Sequence, residues 1–172
     1  MSEKDVLTPQ TEDKQIVKRS AKLEKYLTFN LDRGVYGLEI LSVKEIIGLM
    51  NITRLPRTPD YVRGIINLRG QVIPVVDLRK KFGLETVEDT DASCIIVVQI
   101  TDSEKEITTG VLVDSVAEVM DINGASIENT PSLGTEINTD FISGIGKIGE
   151  KVVIILDIEK TIDFREVMAA VA

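Results

Sequence analysis

Catalytic side chains are scarce in this sequence, and histidine is absent from all 172 residues. Its absence removes the commonest general base and the commonest metal ligand. The single cysteine, Cys94, cannot complete a zinc site alone, and its place in a β-branched run indicates a small buried residue. Gly144 and Gly146 lack the lysine and hydroxyl residue of a phosphate-binding loop. We therefore expect no catalytic residue, no bound metal and no cofactor.

Among the remaining polar residues, Arg69 has the most distinctive position. It begins the turn-prone sequence Arg69-Gly70-Gln71, which separates the apolar runs 64–68 and 72–78. This pattern predicts a tight β-hairpin in which Gly70 supplies a positive φ angle without steric cost. One cation is then expected at the tip of an otherwise apolar hairpin. A partner contact is the functional interpretation, and stabilisation of the turn is the structural alternative.

The hairpin sequence occurs twice, which indicates two similar halves of one chain. A shift of 80 residues aligns segment 64–78 with segment 144–158, with four identical positions and five at which one aliphatic residue replaces another. In this alignment Arg69 corresponds to Gly149. The fold is therefore predicted to be doubled, whereas the cation at the hairpin tip is present once.

Short alternating segments predict strands through most of the chain. In residues 25–31 the odd-numbered positions from 27 onward are apolar, so we expect Tyr26, Thr28 and Asn30 to face solvent. Residues 94–100 form an almost unbroken β-branched run, which is typical of a strand buried on both faces. Residues 58–64 carry signals of a short helix. Many short strands, repeated, predict two small β-barrels side by side.

The chain is divided here into three parts. We expect a mobile N-terminal tail at 1–24, a domain at 25–162 and a C-terminal helix at 157–172. The first barrel is expected to be built mainly from residues 25–83 and the second mainly from residues 93–156. Strands of one segment can also belong to the barrel of the other. Such a length suits two small halves packed together.

The composition excludes several classes of protein. A net charge of −8 argues against nucleic-acid binding, because phosphates attract a basic surface. No apolar run approaches membrane-spanning length and no signal peptide opens the chain, so we expect no direct membrane insertion. One cysteine favours a reducing cytoplasm. We expect a protein that is monomeric when alone.

Four motifs follow one another through the first half of the chain. In chain order they are Tyr36-Gly37-Leu38-Glu39-Ile40, Arg57-Thr58-Pro59, Asn67-Leu68-Arg69-Gly70 and Ile73-Pro74-Val75-Val76-Asp77-Leu78. Together they resemble the CheW family, the coupling proteins of bacterial chemotaxis. The resemblance implies a mainly β fold of two five-stranded SH3-like β-barrel subdomains on a shared apolar core, with short helices. It also implies a non-enzymatic adaptor that joins chemoreceptors (methyl-accepting chemotaxis proteins) to the histidine kinase CheA. Such an adaptor would be cytoplasmic and recruited to membrane-associated receptor arrays.

Two partner surfaces are implied by the same resemblance. The receptor-binding groove, which faces the cytoplasmic signalling tip, would contain Val43, Glu45, Arg69, Ile96, Gly110, Val116 and Val119. The kinase-binding surface, which faces the regulatory domain of CheA, would contain Ile52, Thr53, Arg54 and Leu133. Because the resemblance places Glu45 on the same barrel as Arg69, we expect an Arg69–Glu45 ion pair. The groove has to open to a receptor, so this pair is expected to be solvent-exposed.

Alternatives stay open for the function and for single residues. The domain also occurs in the regulatory end of CheA and in CheV, but this chain has no kinase core or receiver, so we expect a stand-alone coupler. A CheW-like module of another signalling array is the first alternative, and a small-molecule binding protein is a less favoured one. A shift of 73 residues aligns Glu45 with Glu118 and Val43 with Val116, so structural roles remain possible for them.

Overall fold

The computed structural model describes residues 23–102, 104–129, 140–162 and 167. The strands are β1 (Leu23–Leu31), β2 (Gly34–Glu39), β3 (Val43–Gly48), β4 (Val62–Leu68), β5 (Gln71–Asp77), β6 (Cys94–Asp102), β7 (Lys105–Val113), β8 (Ser115–Asn123), β9 (Ile127–Glu128), β10 (Ile142–Ile148) and β11 (Lys151–Leu156). The α-helices are α1 (Leu78–Lys81) and α2 (Ile158–Thr161), and 3-10 helices span Ile40–Ser42 and Gly124–Ser126. Leu133, residues 1–22 of the predicted tail and most of the predicted C-terminal helix lie outside the described residues. No described helix is long and apolar enough to cross a membrane.

The strands form two sheets, in the orders β8-β1-β2-β11-β10-β9 and β3-β6-β7-β5-β4. The six-stranded sheet takes β1 and β2 from the first half of the chain and its other four strands from the second half. The five-stranded sheet takes β6 and β7 from the second half and its other three strands from the first. The predicted mainly β fold with SH3-like subdomains is confirmed, but the strand order of each sheet is open and does not close into a barrel.

The apolar side chains pack into three clusters. The largest is shared by the two sheets and includes Leu27 and Phe29 of β1 together with Ile96 and Val98 of β6. A second cluster lies on the other face of the five-stranded sheet, around Ile73. The third fills the corresponding face of the six-stranded sheet and includes Tyr26, Ile122, Val153 and Ile155. The inner strands therefore bury both of their faces.

Burial on both faces corrects one expectation for β1. Tyr26 and Thr28, which were expected to face solvent, are only 4% and 1% exposed. Tyr26 packs in the third cluster, and the Thr28 hydroxyl donates a hydrogen bond to the Glu118 carbonyl oxygen at 2.7 Å. A polar residue at an alternate position can therefore face a second core. The prediction of two-sided burial for 94–100 is confirmed for Ile95, Ile96, Val97 and Val98, which are inaccessible to solvent.

The predicted short helix at 58–64 is absent. Turns occupy residues 56–57 and 60–61, and β4 begins at Val62. The Thr58 hydroxyl donates a hydrogen bond to the Leu55 carbonyl oxygen at 3.1 Å instead of capping a helix. Gly64, the expected helix stop, has a φ of 149° in a β-bulge, where the strand register shifts.

Two aspartates cap the short helices as their sequence positions predict. The Asp77 carboxylate accepts a hydrogen bond from the Lys80 amide at 3.4 Å, and the Asp157 carboxylate accepts one from the Lys160 amide at 3.2 Å. In both copies of the repeat the capping aspartate lies at the end of the second hairpin strand, as the last residue of β5 or the first residue after β11. The turn into each helix is therefore the same in both halves.

Arg79 on α1 links the two sheets. Its guanidinium donates two hydrogen bonds to the Asp114 carboxylate, both at 2.7 Å, and a third to the Glu85 carbonyl oxygen. Asp114 lies between β7 and β8, and its carboxylate also accepts a hydrogen bond from the Asp32 amide in the β1–β2 turn. One guanidinium, on a side chain that is only partly exposed, thus joins α1 of one subdomain to a turn of the other.

Candidate functional site

The predicted contact between Arg69 and Glu45 is present. Glu45 lies on β3, at one edge of the five-stranded sheet, and Arg69 lies in the turn after β4, the strand at the opposite edge. The Arg69 guanidinium donates a hydrogen bond to the Glu45 carboxylate. Because the sheet is open, this ion pair bridges its two edges through side chains. The Arg69 side chain is 67% exposed and the Glu45 side chain 26% exposed, so the guanidinium still faces solvent.

The turn that presents Arg69 is strained. Arg69 and Gly70, the two central residues of the hairpin turn, have φ angles of 51° and 87°, the pattern of a type I′ turn. A residue with a Cβ atom costs about 1–2 kcal/mol in the left-handed region. The matching turn of the second half begins with Gly149 at a φ of 61° and avoids this cost. Arg57 is also exposed, at a φ of 60°, so the backbone of Arg69 motivates a hypothesis of function and does not by itself mark a site.

Val43 and Val116 occupy equivalent places at the edges of the two sheets. Val43 begins β3 and Val116 lies near the start of β8, and each edge strand packs against the shared core. Both side chains are half-buried. Further along β8, Val119 is 51% exposed. These valines can form an apolar wall beside the shared core.

One exposed residue on these edges was not anticipated. Ile46 on β3 is 42% exposed and occupies the position that corresponds to Val119 on β8. The sequence did contain an indication of this residue, because the 73-residue shift aligns Ile46 with Val119, which was predicted to bind the receptor. Ile46 and Val119 are thus matched apolar side chains that face solvent on the two edge strands, as single apolar side chains such as Val72 and Val152 do on the hairpins.

Ile96 and Gly110 lie inside the molecule. Ile96 is inaccessible to solvent in the shared core, and Gly110 is buried where β7 runs beside β5 and β6. A Cβ atom on Gly110 would lie 2.8 Å from the Ile95 side chain. The structure therefore does not bring these two residues to the surface, and any effect they have on binding would act through the strands that carry them.

The residues predicted to face the kinase differ in exposure. Ile52 is half-buried and packs on the second cluster, whereas Thr53 and Arg54 are exposed. The Thr53 backbone makes two hydrogen bonds of 2.8 Å with Ile65, which adds this residue to the edge at β4. The approach is so close that a Cβ atom on Gly64 would lie 2.2 Å from the Thr53 carbonyl oxygen. Ile52 thus contributes to the core, and Thr53 and Arg54 form the exposed edge.

Two ionisable groups away from β3, β8 and the first hairpin have shifted pKa values that follow from packing within the fold. The Arg79 guanidinium, through its hydrogen bonds, holds the pKa of Asp114 below its usual value. Burial, with a smaller contribution from the Asp32 charge, raises the pKa of Tyr36. Within 23–102, 104–129 and 140–162, no group of three or more acidic or cysteine side chains is placed to hold a metal ion.

Comparisons with known proteins agree with this description. A family model described as "CheW-like domain" matches residues 25–166. Chemotaxis protein CheW of Klebsiella aerogenes is 34% identical over 143 residues, which are 83% of this chain and 84% of that protein. Chemotaxis protein CheW of Bacillus subtilis is 34% identical over 149 residues, 86% of this chain and 92% of that protein. The crystal structure of the scaffolding protein TtCheW from Thermoanaerobacter tengcongensis matches with a TM-score of 0.71 at 40% identity, covering 79% of this chain and 90% of that one.

Proposed function

Because this chain belongs to the CheW family of chemotaxis proteins, we propose that it is a non-enzymatic adaptor that couples chemoreceptors to the histidine kinase CheA. It acts in the cytoplasm, where receptor arrays at the membrane recruit it. The names of its relatives support a scaffolding role in chemotaxis. The observation that carries the proposal is the exposed, strained Arg69 of the first hairpin, because the second hairpin has glycine there.

The receptor-binding surface is the pair of edge strands together with the hairpin tip. Val43, Val116 and Val119 supply apolar contacts, and we add Ile46 because it is exposed on the same strand as Val43. Arg69 uses one part of its guanidinium to hold Glu45 and keeps other donors for an acceptor on the receptor. A helical receptor tip suits such a groove, because apolar anchors at helical spacing can dock between a few polar contacts.

The kinase-binding surface is the exposed edge at Thr53 and Arg54, with Ile52 as the apolar side chain beneath it. Thr53 joins the outer edge of β4, and Arg69 lies in the turn at the end of that strand. The two proposed surfaces are therefore neighbours on the first hairpin, whereas Val116 and Val119 of the receptor-binding surface lie on β8 of the other sheet. Coupling requires that both partners bind one molecule. Leu133 stays part of this proposal on sequence grounds alone.

The test is a pair of titrations of the full chain, one with a purified receptor signalling tip and one with CheA. We expect Arg69→Ala to weaken receptor binding about tenfold or more, as for a central arginine of an interface, and to leave kinase binding unchanged. Arg69→Lys should restore only part of the affinity, because a point charge lacks the planar fork. Thr53→Glu should weaken kinase binding and leave receptor binding unchanged.

Lys147→Ala is the matched control. Lys147 lies near the tip of the second hairpin in an exposed ion pair with Glu128 at 2.8 Å, so its loss should change neither titration. Unchanged receptor affinity in Arg69→Ala would remove this residue from the site. An equal loss of affinity for the receptor and for the kinase, together with a large drop in melting temperature, would show that Arg69 has a structural role in the hairpin.

A further inference from the structure

Glu118 on β8 occupies the place in the six-stranded sheet that Glu45 occupies in the five-stranded sheet. The 73-residue shift aligns the two residues in sequence, and the strand pairing agrees. On β3 the register with β6 shifts between Val43 and Glu45, and on β8 the register with β1 shifts between Val116 and Val119. Each glutamate therefore lies at an irregular point of an edge strand, beside residues of the proposed receptor-binding surface.

A threonine fixes the backbone of Glu118. Thr28 on β1 is buried, and its hydroxyl donates a hydrogen bond to the Glu118 carbonyl oxygen at 2.7 Å and accepts one from the Glu118 amide at 3.1 Å. The residue opposite Glu45 is Val97, whose side chain cannot form such bonds. Because an irregularity of this kind re-aims the side chain that it carries, the fixed backbone sets the direction of an exposed carboxylate.

The two glutamates differ in whether the chain supplies a cation. Glu45 accepts a hydrogen bond from Arg69 at the tip of the first hairpin. The 80-residue shift aligns Arg69 with Gly149 at the tip of the second hairpin. Gly149 has no side chain, so this hairpin offers Glu118 no equivalent cation. In the part of the chain that the structure describes, no lysine or arginine pairs with the Glu118 carboxylate.

Two other exposed acidic residues of the same sheet do have partners within the chain. Asp121, three residues further along β8, pairs with Lys25 at 3.0 Å. Glu128 on β9 pairs with Lys147 at 2.8 Å. Glu118 is thus a carboxylate with a fixed backbone and no internal cation, at the position where the other half of the molecule holds an arginine.

We propose that Glu118 binds a basic side chain of the receptor signalling tip, as Glu45 binds Arg69 within the chain. This inference rests on the proposed function and names the chemistry that the receptor has to supply. Arginine fits best, because its planar guanidinium can hold a carboxylate through two parallel hydrogen bonds. On a receptor helix this cation lies three or four residues from the apolar side chain that contacts Val119, since such positions share one helix face.

Opposite charges on the two halves then fix the orientation of the receptor tip. Arg69 offers donors to an acceptor on the tip, whereas Glu118 accepts hydrogen bonds from a cation on it. A tip bound the other way round would bring its cation to Arg69 and its acceptor to Glu118. Such like-charge contacts disfavour the wrong arrangement.

The test is the receptor titration of the full chain carrying Glu118→Gln, which removes the charge and nearly keeps the shape. We expect receptor affinity to fall about fivefold at low salt and kinase affinity to stay unchanged. Glu118→Lys should lower receptor affinity about twentyfold, because like charges then meet. Both chains are also titrated with receptor tips in which each lysine or arginine is changed singly to glutamine. Against one of these tips Glu118→Gln should have no further effect, which identifies the paired cation.

Asp121→Asn is the matched control, because it removes the same charge from the same strand at a residue that already has Lys25. It should leave receptor affinity unchanged. Gly149→Arg supplies the missing internal cation and should weaken receptor binding about fivefold by occupying Glu118. Gly149→Ala, which adds the same backbone strain without the charge, should not weaken it.

Unchanged receptor affinity in Glu118→Gln, with Arg69→Ala still weakening it, would overturn this inference and leave the proposed function standing. Additive effects with every basic residue of the tip would also overturn it, because no cation would then lie at Glu118. Equal receptor affinity in Gly149→Arg and Gly149→Ala would overturn the equivalence of Glu118 and Glu45 on which the inference rests. Failure of the unaltered protein to bind the receptor tip would overturn the proposed function, and this inference with it.

Discussion

Two arginines in the five-stranded half each hold a carboxylate, but in opposite surroundings. The Arg79 side chain is 12% exposed and grips Asp114 with two hydrogen bonds of 2.7 Å. The Arg69 side chain is 67% exposed and donates to Glu45 across the edge of a sheet. A buried, bidentate pair fixes geometry, whereas an exposed pair contributes little to stability and keeps donors available.

The repeat sharpens this contrast. Arg79 corresponds to Glu159 and Arg69 to Gly149, so both arginines are particular to the first half. Arg79 has α-helical backbone within α1, but Arg69 has a strained φ of 51°. The difference teaches that residue type and ion pairing alone do not separate a candidate binding arginine from a structural one.

The largest effect is expected for Arg79→Ala. The change removes three hydrogen bonds and leaves the half-buried Asp114 carboxylate with the Asp32 amide as its remaining donor. We expect the free energy of unfolding to fall by roughly 2–4 kcal/mol. Chemical denaturation measures it, and a loss below about 1 kcal/mol, the range of an exposed pair, would erase the contrast with Arg69.

The next effect is a pH dependence carried by Asp114. Its pKa is lower in the folded state than in the unfolded chain, chiefly through the Arg79 hydrogen bonds. Its contribution to stability is therefore fully present above the unfolded pKa of about 4 and is lost as the pH falls through the folded pKa. The melting-temperature difference between the unaltered protein and Asp114→Asn should be large near neutral pH and shrink below about pH 4.

Asp121→Asn is the control for this measurement. Asp121 pairs with Lys25 at 3.0 Å, but both side chains are more than half exposed. Its removal should change the melting temperature little at any pH, because exposed pairs are screened by solvent. A difference for Asp114→Asn that stays constant from neutral to acidic pH would contradict the stabilising role of the charged carboxylate.

The smallest effect tests the strain at Arg69. Both Arg69→Ala and Arg69→Gly remove the ion pair, but only glycine relieves the left-handed backbone. Arg69→Gly should therefore be more stable than Arg69→Ala by about 1 kcal/mol, opposite to the usual order of these residues. Denaturant midpoints measure the difference. In the second hairpin Gly149→Ala, at a φ of 61° with open space around it, should lose about the same amount.

Local features of this fold follow from local sequence. The hairpin at 64–78 and the aspartate caps at Asp77 and Asp157 depend on residues within a few positions of each other. The positive φ angle at Gly70 was predicted. The positive φ angle at Arg69 was not, although a type I′ turn requires positive φ angles at both central residues. The predicted helix at 58–64 is absent for a similar reason. Gly64, which was expected to end that helix, lies instead in the β4 bulge beside the bridge between Thr53 and Ile65.

Sequence by itself determined the repeat, the β class, the absence of histidine chemistry and the single cation of the hairpin tip. Tertiary structure decided which faces are buried, because strands of the two halves are shared between the sheets. It placed Ile96 and Gly110 inside, gave Tyr26 a second core to face, and joined Arg79 to Asp114 across 35 residues. Apolar periodicity records one face of a strand at a time, whereas strand order in a sheet sets what lies beyond the other face.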